Sequence, residues 1–143
     1  MLNISGLDEG IVLDHIQAGM STKIFKHLGL EKLDCQVAMI RNVKSNKMGK
    51  KDIIKIEGGL DQVDLDVLGY LDHNITINII RGGVIVEKKA LKLPSRLTNV
   101  LVCKNPRCVT TIERNLKQVF TLANPETQTY RCIYCEETVG KQL

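Results

Sequence analysis

The chain has 143 residues, 43% of them apolar and only 3% aromatic, with no Trp, which suits one domain or two small ones built on aliphatic cores. The start, MLNISGLDEGIVLDH, has neither a basic n-region nor a long apolar h-region. No apolar run approaches the roughly 20 residues of a membrane span, so composition predicts a soluble, cytoplasmic protein with no membrane partner.

Taken along the chain, GIVLDHI (10–16) alternates as a strand. STKIFKHLGL follows with Ile24, Phe25 and Leu28 on one helical face and Gly29 as the stop. CQVAMIRNV (35–43) is predicted as a strand, with Cys35 buried in it as an apolar residue. SNKMGKK is a turn and KDIIKIEG (51–58) the next strand. LDQVDLDVLGYL places Leu60, Val63, Val67 and Leu71 at helical spacing, with Asp61 as the cap. NITINII (74–80) and VIVEKKALKL (84–93) flank a hairpin turn at Arg81-Gly82-Gly83. The order β-α-β-β-α-β plus one strand predicts an α+β, ferredoxin-like domain over residues 1–93: an antiparallel sheet with two helices on one face. LKLPSRL (91–97) reads as a hinge. Beyond it the runs NVLV, QVFTL and TYRCIYC predict a small all-β domain over residues 97–143.

Four of the five cysteines, Cys103, Cys108, Cys132 and Cys135, form C-x4-C, a 23-residue spacer and C-x2-C. Two short cysteine loops, each wrapping half a tetrahedron, predict one structural Zn2+. A rubredoxin-like iron or iron–sulfur centre is one alternative; disulfides or free thiols are another. Four thiolates close the coordination sphere, so no position is left for water or substrate, and a catalytic metal is not expected. The metal's purpose is then thermodynamic, since about 50 residues with few apolar side chains build a poor core alone.

The first domain offers a second candidate site. Strand alternation puts Lys51, Ile53 and Lys55 on one face, and Val12 with Asp14 on the first strand. An aliphatic residue between lysines suits a nucleotide, with apolar contact for the base and ammonium groups for phosphate and ribose oxygens. Lys88 adds a cation, and Asp14 a carboxylate for ribose hydroxyls. Exposed strand lysines are equally ordinary solvated residues. The run from Arg41 to Lys55, six cations against Asp52 alone, fits a polyanion or a solvated face about equally. Asp14 and His15 are strand neighbours, so they are expected on opposite faces rather than as a catalytic dyad, and His27 and His73 read as ordinary helix-end or loop residues.

The combination of V-x-D-H-I, M-G-K-K-D-x-I-K-I-E, L-P-x-R-L-x-N-V-L-V-C and the C-x4-C…C-x2-C module resembles the regulatory chain of aspartate carbamoyltransferase over nearly the whole chain. The resemblance implies a non-catalytic chain of pyrimidine biosynthesis that binds nucleotide effectors in residues 1–93. CTP and ATP are implied, with UTP as a further candidate. It implies base and ribose contacts at Val12, Asp14, His15 and Lys55, and phosphate contacts at Lys51 and Lys88. Leu7, Ile53, Asn78, Ile80 and Ile85 would line the pocket. It further implies a homodimer of regulatory chains and docking onto a catalytic chain through loops at Asn105, Tyr134 and Glu136. A nucleic-acid-binding zinc ribbon is the alternative. Against it, residues 94–143 carry a net +3, which a zinc tetrathiolate of charge −2 reduces to about +1, little for phosphate-driven binding. A small enzyme would need a nucleophile or acid–base pair in a cleft, and the sequence offers none.

Overall fold

β1 (Glu9–Gln17) is built on Ile11, Val12, Leu13 and Ile16, all buried, and a strand apolar on both faces belongs at the centre of a sheet. The computed structural model describes residues 8–58, 61 and 63–140. The chain divides into two units, Met1–Lys92 and Leu93–Leu143.

In the first unit β1 is followed by α1 (Ser21–His27), β2 (Val37–Ser45), β3 (Gly49–Glu57), α2 (Leu65–Leu71), β4 (Thr76–Arg81) and β5 (Val84–Ala90). The sheet order is β2-β3-β1-β4-β5, with every neighbouring pair antiparallel. This is the ferredoxin-like arrangement extended by β5. Register places Ile11, Leu13, Ile54, Ile56, Ile77 and Ile79 on one face, all buried. Ile24 of α1 and Leu68 and Leu71 of α2 are buried with them. The opposite face carries a smaller cluster of Val12, Ile53 and Ile80, with Ile40 and Val43 packed against it.

Local chemistry sets the element ends. Gly29 ends α1 with φ +65, the left-handed conformation that glycine adopts without strain. The predicted cap of α2 moves from Asp61 to Asp64, whose carboxylate accepts from the N–H groups of Asp66 (3.1 Å) and Val67 (3.3 Å). Of the two aspartates, Asp64 directly precedes the first helical residue, and its extended backbone (φ −79°, ψ 105°) suits an N-cap. The helix is accordingly shorter than its apolar spacing suggested; Val63 is buried ahead of it, and Leu60 lies outside the described residues. Cys35 is half-buried in a bend before β2 rather than buried within a strand.

The second unit holds β6 (Arg96–Thr98), a one-turn helix α3 (Val109–Ile112), β7 (Val119–Asn124), β8 (Thr129–Cys132) and β9 (Thr138–Val139). The strands form one antiparallel sheet in sequence order. Phe120 and Tyr130 are fully buried, with Leu97, Leu101 and Val119. Tyr130 donates its hydroxyl to the Pro94 carbonyl (2.7 Å), and the Leu122 N–H donates to the Ser95 carbonyl (2.9 Å). The extended segment predicted as a hinge therefore belongs to this sheet from Pro94 onward. NVLV is not a strand, because β6 ends before Asn99. At φ +59 that residue turns the chain, and its side chain accepts from the Gln118 N–H at 3.0 Å.

Candidate functional site

Two tight loops bring the four paired-motif cysteines together. In the first, the Asn105 carboxamide accepts from the Arg107 N–H (3.1 Å) while the Asn105 carbonyl accepts from the Cys108 N–H (3.0 Å). In the second, the Glu136 N–H donates to the Cys132 carbonyl (3.0 Å), with Glu136 at φ +65. All four Sγ atoms lie within 4.8 Å of one another, Cys103 to Cys135 at 3.5 Å and Cys108 to Cys132 at 3.8 Å. A tetrahedral zinc with bonds of about 2.3 Å sets sulfur separations of about 3.8 Å, so the donor set fits one ion. All five cysteines are free thiols, which removes the disulfide alternative.

The thiols differ in proton affinity. Burial pushes Cys103 up to about 12, with the neighbouring thiols adding to the rise, and burial raises Cys132 as well. At Cys108 burial also acts upward, but donation from the Thr110 hydroxyl (3.0 Å) and backbone outweighs it and brings the thiol to about 7. A cation entering here displaces protons, and Thr110 pre-pays part of that cost. With four protein ligands the sphere has no open position, so the site shapes a loop rather than performing a reaction.

The second feature is a cavity of about 590 Å3 on the sheet face away from the helices. Val12, Ile53 and Ile85 give it apolar walls; Asp14, His15, Lys51 and Asn78 give it polar ones. Lys51 pairs with Asp14 at 2.9 Å. Contrary to strand alternation, Asp14 and His15 line the same cavity. The pairs Leu13–Ile54 and Ile16–Asp52 enclose two residues on β1 but only Ile53 on β3, which is a β-bulge. His15 takes up the extra residue at φ +62. Its N–H donates to the Asp14 carboxylate (2.7 Å), and its Nδ1 lies 3.3 Å from the Thr76 hydroxyl. Asn78 is only 8% exposed, and its Oδ1 has no hydrogen-bond partner among the described residues. A buried acceptor in that state is stabilised by any ligand that brings a donor.

Of the remaining residues expected here, Lys55, Ile80 and Lys88 are not among the lining residues, and Leu7 lies outside the described residues. Register nonetheless aligns Lys55, Val12, Asn78 and Lys88 in one row across four strands. The two lysines thus flank the row on the order of 14 Å apart, at about 4.8 Å per strand. The alternation argument missed Val43, Lys44, Ser45, Asn46 and Lys47, which close one side of the cavity from the β2–β3 hairpin. The density of lysines between Arg41 and Lys55 was the signal that could have found them.

Both features coincide with matches to known proteins. The family described as "Aspartate carbamoyltransferase regulatory chain, allosteric domain" matches residues 2–92, which carry the cavity. Its companion, "Aspartate carbamoyltransferase regulatory chain, metal binding domain", matches residues 95–142, which carry the four cysteines. The chain belongs to the family of aspartate carbamoyltransferase regulatory chains. Relatives bearing that name include one from Clostridium botulinum, 52% identical over 96% of this chain and 93% of its own length. Another from Clostridium tetani is 48% identical over 96% and 95%. One from Bifidobacterium longum is 44% identical over 95% and 97%. As an aspartate carbamoyltransferase regulatory chain the polypeptide is non-catalytic, which agrees with a metal centre closed to substrate. No helix among its described residues is long and apolar enough to cross a membrane.

Proposed function

We propose that this regulatory chain binds nucleotide effectors in the sheet cavity and passes their effect to a separate catalytic chain of aspartate carbamoyltransferase, controlling pyrimidine biosynthesis. The observation that carries the reading is the cavity itself. Apolar walls, a carboxylate, a buried unsatisfied amide oxygen and lysines converge in a space of about 590 Å3. The base packs on Val12, Ile53 and Ile85, Asp14 accepts from ribose hydroxyls, and His15 and Lys51 face phosphate, with Lys55 and Lys88 flanking. CTP and ATP are the effectors to test first, then UTP.

The ion is zinc, held by Cys103, Cys108, Cys132 and Cys135, and free thiols of this kind persist in a reducing cytoplasm. The metal loops dock the catalytic chain. Tyr134 and Glu136 are exposed and Asn105 half-exposed, and the same unit exposes the apolar side chains of Val102, Val109 and Ile112, the last 73% exposed. Two regulatory chains pair through their first sheets, whose edge strands β2 and β5 offer unpaired backbone groups.

Control is then a matter of linkage. A nucleotide alters catalysis only through different affinities for two states of the complex, and the catalytic chain's substrates alter nucleotide affinity by the same factor. The test is co-purification with a catalytic chain, followed by carbamoyl transfer assayed with and without CTP and ATP. A retained complex whose rate or substrate saturation shifts with either nucleotide is expected. Failure to assemble, or a rate indifferent to both nucleotides, would overturn the proposal.

A further inference from the structure

Asp52 sits between two β-bulges and is fully buried behind the cavity rather than in its wall. On one side of it the β1 bulge sets Asp14 and His15 against Ile53 alone. On the other the β2 bulge, between Ile40 and Val43, sets Arg41 and Asn42 against Asp52 itself.

Each bulge changes which side chains the cavity receives. Without the extra residue on β1, Asp14 and His15 would fall on opposite faces; with it, both line the cavity. On β2 the effect is a change of phase. Ile40 pairs with Ile53 and packs on the cavity face. Regular alternation from Ile40 would send Asn42 and Lys44 to that face and turn Val43 and Ser45 away from it. The bulge does the reverse. Val43 pairs with Lys51 and Ser45 with Gly49, and Val43 packs against the cluster of Val12, Ile53 and Ile80.

The two oxygens of Asp52 divide between these features. Oδ1 accepts from the N–H of Asn42 (3.0 Å), which stands inside the β2 bulge at φ +60. Oδ2 accepts from the N–H groups of Gly19 (3.0 Å) and Ser21 (3.3 Å) and from the Ser21 hydroxyl (2.6 Å), on the chain that leaves β1 just after its bulge. One carboxylate thus ties both bulged strands to the middle of β3.

We infer that Asp52 is a positioning residue for the cavity: through Asn42 and the turn after β1 it holds the two bulges whose phase sets Asp14, His15, Val43 and Ser45 against a ligand. The inference rests on the nucleotide reading above and goes beyond it, since it assigns the shape of the wall to a residue that the ligand does not touch.

The experiment combines calorimetric titration of the full metal-loaded chain with CTP and methyl NMR of the same samples. It compares the wild type with Asn42→Val, Asn42→Gly, Ser21→Ala and Asp52→Asn. Valine resists a positive φ, so Asn42→Val opposes the bulge from an exposed position without touching Asp52; glycine accepts that φ and keeps the N–H. Asn42→Val is expected to lose the NOEs from the Val43 methyls to the Val12, Ile53 and Ile80 cluster and to weaken CTP binding about tenfold. Asn42→Gly keeps the NOEs and holds CTP affinity within about twofold. Ser21→Ala removes one donor and leaves the backbone donors on both oxygens, so it lowers Tm while CTP affinity stays within about twofold. Asp52→Asn offers one acceptor oxygen where two are used, and lowers both Tm and CTP affinity. The inference is overturned if Asn42→Val keeps the Val43 contacts or its CTP affinity, or if CTP affinity simply follows Tm across the variants, the mark of a merely structural role. Where Asp52→Asn does not fold, the Asn42 pair decides. A wild type that binds no CTP would instead sink the nucleotide reading itself, and this inference with it.

Discussion

Asp52 is the residue on which the first unit turns. It is fully buried, yet its carboxylate accepts from the Ser21 hydroxyl (2.6 Å) and from the N–H groups of Gly19 (3.0 Å), Ser21 (3.3 Å) and Asn42 (3.0 Å). α1 has no side-chain cap and no acid in its first turn, so a carboxylate from β3 performs that service across the sheet. Burial pulls the Asp52 carboxyl upward, but the Ser21 hydroxyl and the three backbone donors outweigh it and hold the group below its usual 3.8. A depressed folded-state value means stability present above pH 3.8 and lost as pH falls through the folded value. Asp52→Ala leaves several donors unsatisfied and is expected to destabilise the first unit by about 2–4 kcal/mol near neutral pH. Denaturant melts at falling pH should show the gap to the wild type closing below pH 3.8; a gap constant with pH would refute the ionised-anchor account. In the second unit Thr110 plays the smaller supporting part. Thr110→Val removes the donor to Cys108 and should weaken metal affinity by about tenfold, measured by competition with a chromogenic chelator.

At the scale of elements, the second unit relies on few buried residues. Its sheet ends in the two-residue β9, its helix is a single turn, and its cysteines fill positions where a larger domain would place aliphatic side chains. Metal binding contributes on the order of 10–16 kcal/mol in modules of this kind. Removing the ion with a chelator or a mercurial should therefore expose residues 93–143 to protease while the first sheet survives. Unchanged protection of both units would show that the second folds without metal. This unit was legible in the sequence because cysteine spacing is a local signal, and so was the order of strands and helices in the first, written in Ile11, Leu13, Ile54 and Ile56. What alternation hid were departures from its own period. The β1 bulge turned His15 onto the face of Asp14, and the β2 bulge at Asn42 is held by an aspartate ten residues further on. Asp52 looked like the lone acid in a basic run, because nothing in the sequence reports that it points inward to Ser21. Likewise NVLV has strand composition, and only the tertiary pairing of Asn99 with Gln118 ends the strand before it.

For the whole molecule, the division of labour between the units can be tested by disabling one. Cavity and metal centre belong to separate units, each with its own sheet and its own core, so their local chemistries are separable. Cys108→Ser takes a ligand from the closed tetrathiolate and should abolish stoichiometric metal, measured by atomic absorption. In the proposed arrangement the loops at Asn105 and Tyr134 then lose their shape, and assembly with a catalytic chain fails in gel filtration. CTP affinity of the variant should stay within about twofold of the wild type, because no cavity residue depends on the metal. The opposite pattern, nucleotide binding lost while assembly persists, would place the effector site or the docking surface in the wrong unit. Full assembly with normal CTP response in a metal-free variant would remove the metal from the relay. Linkage adds a stricter requirement in the intact complex. If CTP shifts equilibrium substrate affinity by some factor, substrate must shift CTP affinity by the same factor whatever the number of states, and unequal factors would mean that the two titrations do not report one binding equilibrium.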